Sequence, residues 1–102
     1  MFRINNGKGF FVEFPNKYGV SVQFGYGNYS SNRGDNLPFP IDWEVTNRKL
    51  GEEGALTAEI AVIDPQGNLT GQELGIFEGD SVEGWCDATR VLEVLNLVAA
   101  LP

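Results

Sequence analysis

Asp87-Ala88-Thr89-Arg90-Val91-Leu92-Glu93-Val94-Leu95-Asn96-Leu97-Val98-Ala99-Ala100-Leu101 is the stretch that decides the fold. At ~100° per residue, Val91, Leu92, Val94, Leu95, Val98, Ala99 and Leu101 fall on one half of a helical cylinder, and Thr89, Arg90, Glu93 and Asn96 on the other. Leu97 lies at the border of the apolar arc. Asp87 precedes the run with a carboxylate that can accept from the orphan N–H groups of the first turn and suits the positive end of the helix dipole. An apolar face of this width contributes roughly 1.5–3 kcal/mol per fully buried Leu or Val, provided a flat apolar surface lies beneath it. The upstream chain has to supply that surface.

It does so as sheet. Gly9 to Phe14 alternates, with Phe10, Val12 and Phe14 on one side and Phe11 and Glu13 on the other. Pro15-Asn16-Lys17-Tyr18-Gly19 has tight-turn chemistry, Asn and Gly tolerating the positive φ that closes it. Val20, Val22 and Phe24 then alternate with Ser21 and Gln23, completing a hairpin. Ile41 to Val45 (Ile41, Trp43 and Val45 inward) and Ala55 to Ile63 (Leu56, Ala58, Ile60 and Val62 one way) read as the third and fourth strands. Asp64-Pro65-Gln66-Gly67-Asn68 is a turn. Leu69 to Phe77 reads as a looser fifth strand weakened by Gly71 and Gly75, and Ser81 to Cys86 as a short sixth. Phe2 and Ile4 belong to a leader or a first edge strand.

Strands in sequence with tight turns make a meander. The expected fold is therefore α+β: an antiparallel β-sheet meander of about five strands packed against one C-terminal amphipathic helix, as a single domain over residues 1–102. A small closed barrel plugged by the helix is the alternative.

The chain has 102 residues and a net charge of −7, with a pI near 4.3. That balance argues against coating nucleic-acid phosphates directly and permits a basic protein partner. Histidine is absent and Cys86 is the single cysteine, which removes Ser–His and Cys–His nucleophiles, disulfides and thiolate metal sites. No cofactor, metal or catalytic residue is expected. Asp42, Glu44, Glu52 and Glu53 read as solvated carboxylates. Trp43 and Trp85 are core or interface anchors, roles that the sequence does not separate. No run approaches ~18 apolar residues, so no membrane span is expected, and the N-terminus lacks a signal-peptide core.

Two stretches carry the candidate binding residues. Gly25 to Pro40 has no period and is long for a loop inside a compact domain. Its Tyr26, Asn28, Tyr29, Arg33, Asp35 and Phe39 are side chains that binding surfaces favour; the alternative is that Tyr26, Tyr29 and Phe39 fold back as a lid over one sheet end. The densest acidic run, Glu73 to Asp87, adds Glu78, Asp80 and Glu83 as a patch for a basic partner; its spacing does not match a calcium loop.

Asn6-Gly7-Lys8-Gly9-Phe10, Tyr18-Gly19-Val20-Ser21-Val22-Gln23-Phe24-Gly25, Gly27-Asn28-Tyr29, Ala58-Glu59-Ile60-Ala61-Val62 and Gly84-Trp85-Cys86 with the terminal helix resemble a group of small uncharacterised proteins of tailed bacteriophages and prophages. The stretch Asn32 to Gly54 departs from that pattern. The resemblance implies an accessory protein working in the host bacterial cytoplasm, and it brings no catalytic residues. The expected function is a non-enzymatic inhibitor that occupies the functional surface of a host protein, a nucleic-acid-handling anti-phage defence component such as a CRISPR effector. The alternative is sequestration of a small ligand, such as a signalling nucleotide, between protomers of an oligomer; a homodimer fits the apolar border at Leu97.

Overall fold

The structure is a computed structural model that describes residues 1–4, 8–24, 30 and 54–102. Five strands, β1 (Phe2–Ile4), β2 (Gly9–Glu13), β3 (Gly19–Gln23), β4 (Ala58–Ile63) and β5 (Val82–Cys86), precede a helix, α1 (Ala88–Ala99). The strands lie in the order β1-β2-β3-β4-β5, every neighbouring pair antiparallel, and α1 packs across β3, β4 and β5. The described residues thus form an α+β meander covered by a C-terminal helix. Among the described residues no pairing joins β1 to β5, so the ladder is open.

Side-chain alternation places the core. Phe10 pairs with Val22, Val12 with Val20, Val20 with Val62 and Val22 with Ile60, so these side chains share one face. That face, with Ala58, Phe77 and Cys86, meets Val94 and Val98 of α1 in a single buried cluster. Phe14, Val91, Leu95 and Leu101 close its margins. The other sheet face carries Arg3, Phe11, Glu13, Ser21, Gln23, Glu59, Ala61 and Ile63, none of them fully buried. Arg3 lies 5.4 Å from the Phe11 ring centre, a cation–π pair on that open face.

Asp87 caps α1 as its position requires, its Oδ1 accepting from Arg90 N at 2.8 Å. The helix ends at Ala99, and its buried stripe is narrower than the periodicity suggests: Leu92 is exposed, as is Ala99, because the stripe is centred on Val94 and Val98. The other helix end is held from a distance. Asn16 Nδ2, in the β2–β3 turn, donates to Val98 O and Leu101 O at 2.9 Å each, while its Oδ1 accepts from Tyr18 N at 3.0 Å. In that turn Lys17, not Asn16 or Gly19, takes the positive φ of 72°.

Two sequence expectations need correction and two fall outside the described residues. Leu69 to Phe77 is not a strand: Leu69 forms an isolated bridge to Ile63, and the chain then coils through one helical turn, with Leu74 N bonding to Thr70 O. A Cβ on Gly71 would lie 2.3 Å from the Phe77 ring, so the glycine is where the chain folds against that buried side chain. Leu56 is 86% exposed because β4 begins only at Ala58. The third strand expected at Ile41 to Val45 and nearly all of the Gly25–Pro40 loop lie outside the described residues.

Candidate functional site: the β5 edge and the acidic bowl

The site grows out of an irregularity in β5. Ala58 pairs with Cys86 and Ile60 with Glu83, so β5 uses three steps where β4 uses two. Glu83 and Cys86 are three positions apart, an odd offset that in a regular strand would put them on opposite faces. The bulge restores them to the same, helix-facing side. Its cost falls on Trp85, which holds φ = 49°, a conformation worth roughly 1–2 kcal/mol of strain for a side-chain-bearing residue. The indole is left 58% exposed while Cys86 is buried.

On the helix-facing side the first turn of α1 meets β5. Arg90 Nε donates to Glu83 Oε2 at 2.7 Å and Nη2 to Oε1 at 3.0 Å; Nη2 also donates to Ile76 O at 2.8 Å, and Nη1 to Glu93 Oε1 at 2.7 Å. Cys86 Sγ donates to the same Glu83 Oε2 at 3.1 Å. The guanidinium hydrogen bonds, helped by the thiol, hold Glu83 below the ordinary carboxylate value, against the opposing effect of burial. Burial first, then the adjoining Glu83 carboxylate, pushes the Cys86 thiol up to about 12, so it is a closed core thiol and not a nucleophile. Arg90 is raised further by Glu83.

Above this node lies an open bowl of about 480 Å³, lined by the 75–80 turn, Val82 to Gly84 and Arg90. Glu78, Asp80 and Glu83 therefore come together as the sequence suggested. Their roles differ: Glu83 is committed to Arg90, Asp80 accepts from Ser81 N at 2.7 Å, and both Glu78 and Asp80 face solvent. A groove of about 280 Å³ runs between α1 and the start of β4, walled by Leu56, Ala58, Cys86, Val91, Leu92 and Leu95 among others. Leu56 and the 58%-exposed Leu92 form its rim. Tyr26, Asn28, Tyr29, Arg33, Asp35 and Phe39 lie outside the described residues.

Charge is divided unevenly along the chain. Residues 54–102 carry Glu59, Asp64, Glu73, Glu78, Asp80, Glu83, Asp87 and Glu93 against Arg90 alone, whereas residues 1–24 carry Arg3, Lys8 and Lys17 against Glu13. Among the described residues, most carboxylates therefore belong to β4, β5, α1 and their connections, although Asp64 shares an open-face pocket with Arg3 and Lys17. The excess of carboxylates in this half is the feature that reading the sequence by stretches missed; Trp85, which the sequence left as a core or an interface anchor, is 58% exposed. The signal was available: after Lys49 the chain holds one cation. Among the described residues no group of three or more acidic, Cys or His side chains is placed to hold a metal ion, and no helix is long and apolar enough to cross a membrane.

No family model matches the chain, and no solved structure matches it. It is similar to the NADPH dehydrogenases of Bacillus subtilis (strain 168) and Bacillus velezensis, 32% identical to each over 63 residues, or 61% of this chain and 19% of each enzyme. The chain spans about a fifth of the length of the curated relatives it matches, a share that neither establishes nor excludes enzyme activity.

Proposed function

We propose that this is a small acidic binding protein of phage origin that inhibits a host protein, a bacterial anti-phage defence component, by occupying its basic, nucleic-acid-handling surface. The supporting observation is the charge of residues 54–102, where eight carboxylates accompany one arginine whose guanidinium is already bonded to Glu83, Glu93 and Ile76 O. Such a surface attracts cationic protein surfaces over about 10 Å at moderate salt and repels phosphate.

The test is capture of host proteins from phage-sensitive cells over a salt series, identification of the retained protein, and assay of its nucleic-acid binding with and without a stoichiometric amount of this chain. The expected result is a partner whose retention falls with salt and whose nucleic-acid binding is lost. A partner indifferent to salt, or one still active when saturated, overturns the reading. So does NADPH consumption by the purified chain, or a large rise in melting temperature with a nucleotide, which would favour ligand sequestration instead.

A further inference from the structure

We propose that β1 is a docking edge: an extended segment of a partner protein, reading apolar–acidic–apolar, adds to it as an antiparallel strand and sets its carboxylate against Arg3. The hydrogen-bond phase supplies the first ground. Met1 and Glu13 exchange both bonds of a pair, Met1 N donating to Glu13 O at 2.9 Å and Glu13 N to Met1 O at 2.8 Å. Alternation then turns the N–H and C=O of Arg3 towards Phe11 in β2, and those of Phe2 and Ile4 outwards. Such an outward row is what a further strand bonds to. β5, at the other end of the strand order, is interrupted by its bulge and by the φ of 49° at Trp85, whereas β1 keeps an unbroken register.

The side chains supply the occupant. Phe2 pairs with Val12 and Ile4 with Phe10, so both lie on the helix-facing side, yet α1 packs across β3, β4 and β5 and not across β1. Phe2 is 78% and Ile4 81% exposed. Arg3 projects to the opposite side, where its guanidinium lies over Phe11 and, among the described residues, has no carboxylate partner. A guanidinium stacked on a ring keeps its N–H edge for a carboxylate. Towards an incoming strand Arg3 is a non-hydrogen-bonded position, where opposed side chains come closest, about 4.5 Å between Cα atoms. An acidic residue there makes an ion pair, and the apolar residues on either side of it extend the strip formed by Phe2 and Ile4. A second copy of this chain meets the opposite condition: the antiparallel register that bonds both Phe2 and Ile4 sets Arg3 against Arg3, a like-charge pair.

The full chain, labelled with ¹⁵N, is titrated with the capped peptide Ser-Thr-Val-Glu-Val-Thr-Ser and with its counterpart carrying lysine in place of the glutamate. The amides of Phe2 and Ile4 are expected to shift downfield and to exchange more slowly with solvent, while that of Arg3, already bonded in the sheet, moves less. The glutamate peptide is expected to bind about threefold more tightly than the lysine one, and Arg3→Glu to reverse that preference. Ile4→Pro removes an outward N–H without touching a bond to β2, and is expected to abolish binding while the amide signals of β2 to β5 stay in place. Equal affinity for the two peptides, shifts confined to other strands, an unchanged preference in Arg3→Glu or undiminished binding by Ile4→Pro overturns the proposal. The two peptides compared on the unsubstituted protein decide it even where a variant fails to fold. Phe2 and Ile4 amides already slow to exchange in the free protein would show the edge taken within the chain, and slowing that grows with protein concentration would show a second copy; either overturns it as well. β1 lies at the far edge of the sheet from the acidic bowl, so peptide binding and host-protein inhibition succeed or fail separately.

Discussion

Arg90 and Glu83 are joined through both carboxylate oxygens, Nε to Oε2 at 2.7 Å and Nη2 to Oε1 at 3.0 Å, so the first turn of α1 is clamped to the last strand of the sheet. The same guanidinium reaches Ile76 O, which brings the 71–77 turn into the clamp. Fork-shaped geometry makes the pair specific for arginine.

Replacing Arg90 tests the clamp. Arg90→Ala strands Glu83 and the Ile76 carbonyl together, and charge-assisted bonds of this type contribute about 1.5–3 kcal/mol each way they are measured. The side chains are 25% and 32% exposed, so solvent screening brings the expected loss towards about 1–2 kcal/mol. Thermal denaturation should show a fall of roughly 4–15 °C. Arg90→Lys should recover less than half of it, because one ammonium cannot serve both oxygens and the carbonyl.

The Cys86–Glu83 contact sets the pH response at both ends. Cys86 keeps its proton in the folded state up to about 12, whereas the unfolded thiol loses it near 9. Between those values the native state binds more protons than the unfolded state, so stability falls as pH rises, by at most about 1.4 kcal/mol per pH unit. Glu83 acts in the opposite sense: its carboxylate is favoured in the folded state, so its contribution is present above its ordinary 4.5 and is lost as pH falls below that. Denaturant midpoints measured across pH should decline on both sides. Cys86→Ala should flatten the alkaline limb and shrink the acid one slightly, since the thiol helps hold Glu83 down, and Glu83→Gln should flatten the acid limb and shorten the alkaline one.

Asn16 reaches carbonyls 82 and 85 residues away, and its loss should be felt at the end of the helix. Asn16→Ala leaves the Leu101 carbonyl without its donor, the Val98 carbonyl with only backbone N–H groups of the helix end, and Tyr18 N without its acceptor, which predicts a loss of about 1–3 kcal/mol. Asn16→Asp should cost at least as much, since it exchanges the donor for a negative charge at the negative end of the helix dipole. Hydrogen exchange should quicken first at the amides of residues 98–101.

These residues also show where sequence reading works. The helix, its Asp87 cap and the Val20/Val22 alternation are local patterns, repeated within a few positions, and the structure has them where periodicity put them. Asn16 bonding 82 and 85 residues away leaves no local trace. Leu69 to Phe77 misleads because an apolar count does not register that Gly71 abuts the Phe77 ring and bends the chain. Trp85 could have faced either way: the bulge, which depends on pairing with Ala58 and Ile60, decided it. Of the candidate contact residues, the acidic Glu78, Asp80 and Glu83 were legible as a cluster, but the internal bonding of Glu83 to Arg90 was not, since it takes the bulge to turn that carboxylate towards the helix.

Gly9 opens β2 and Lys17 sits in the β2–β3 turn, and the two should respond oppositely to a change of side chain. Gly9 has φ = 148°, and a Cβ there would lie 2.0 Å from Val22 O and 2.8 Å from Gln23 Cα. Both atoms belong to the backbone of the paired strand, so neither can swing aside as a side-chain end would. Gly9→Ala must therefore part β2 from β3 at the Gly9–Gln23 pair and disturb the bond from Phe24 N to Lys8 O, a loss of about 3 kcal/mol or more. Lys17, at φ = 72°, sits in a conformation that disfavours any Cβ. Lys17→Gly removes that strain at the expense of unfolded-state entropy, and the balance predicts a gain of about 0.5–1 kcal/mol. Urea denaturation of the two variants should move the midpoint in opposite directions, and a loss of stability in Lys17→Gly would show that the lysine side chain, not the turn geometry, governs this end of the hairpin.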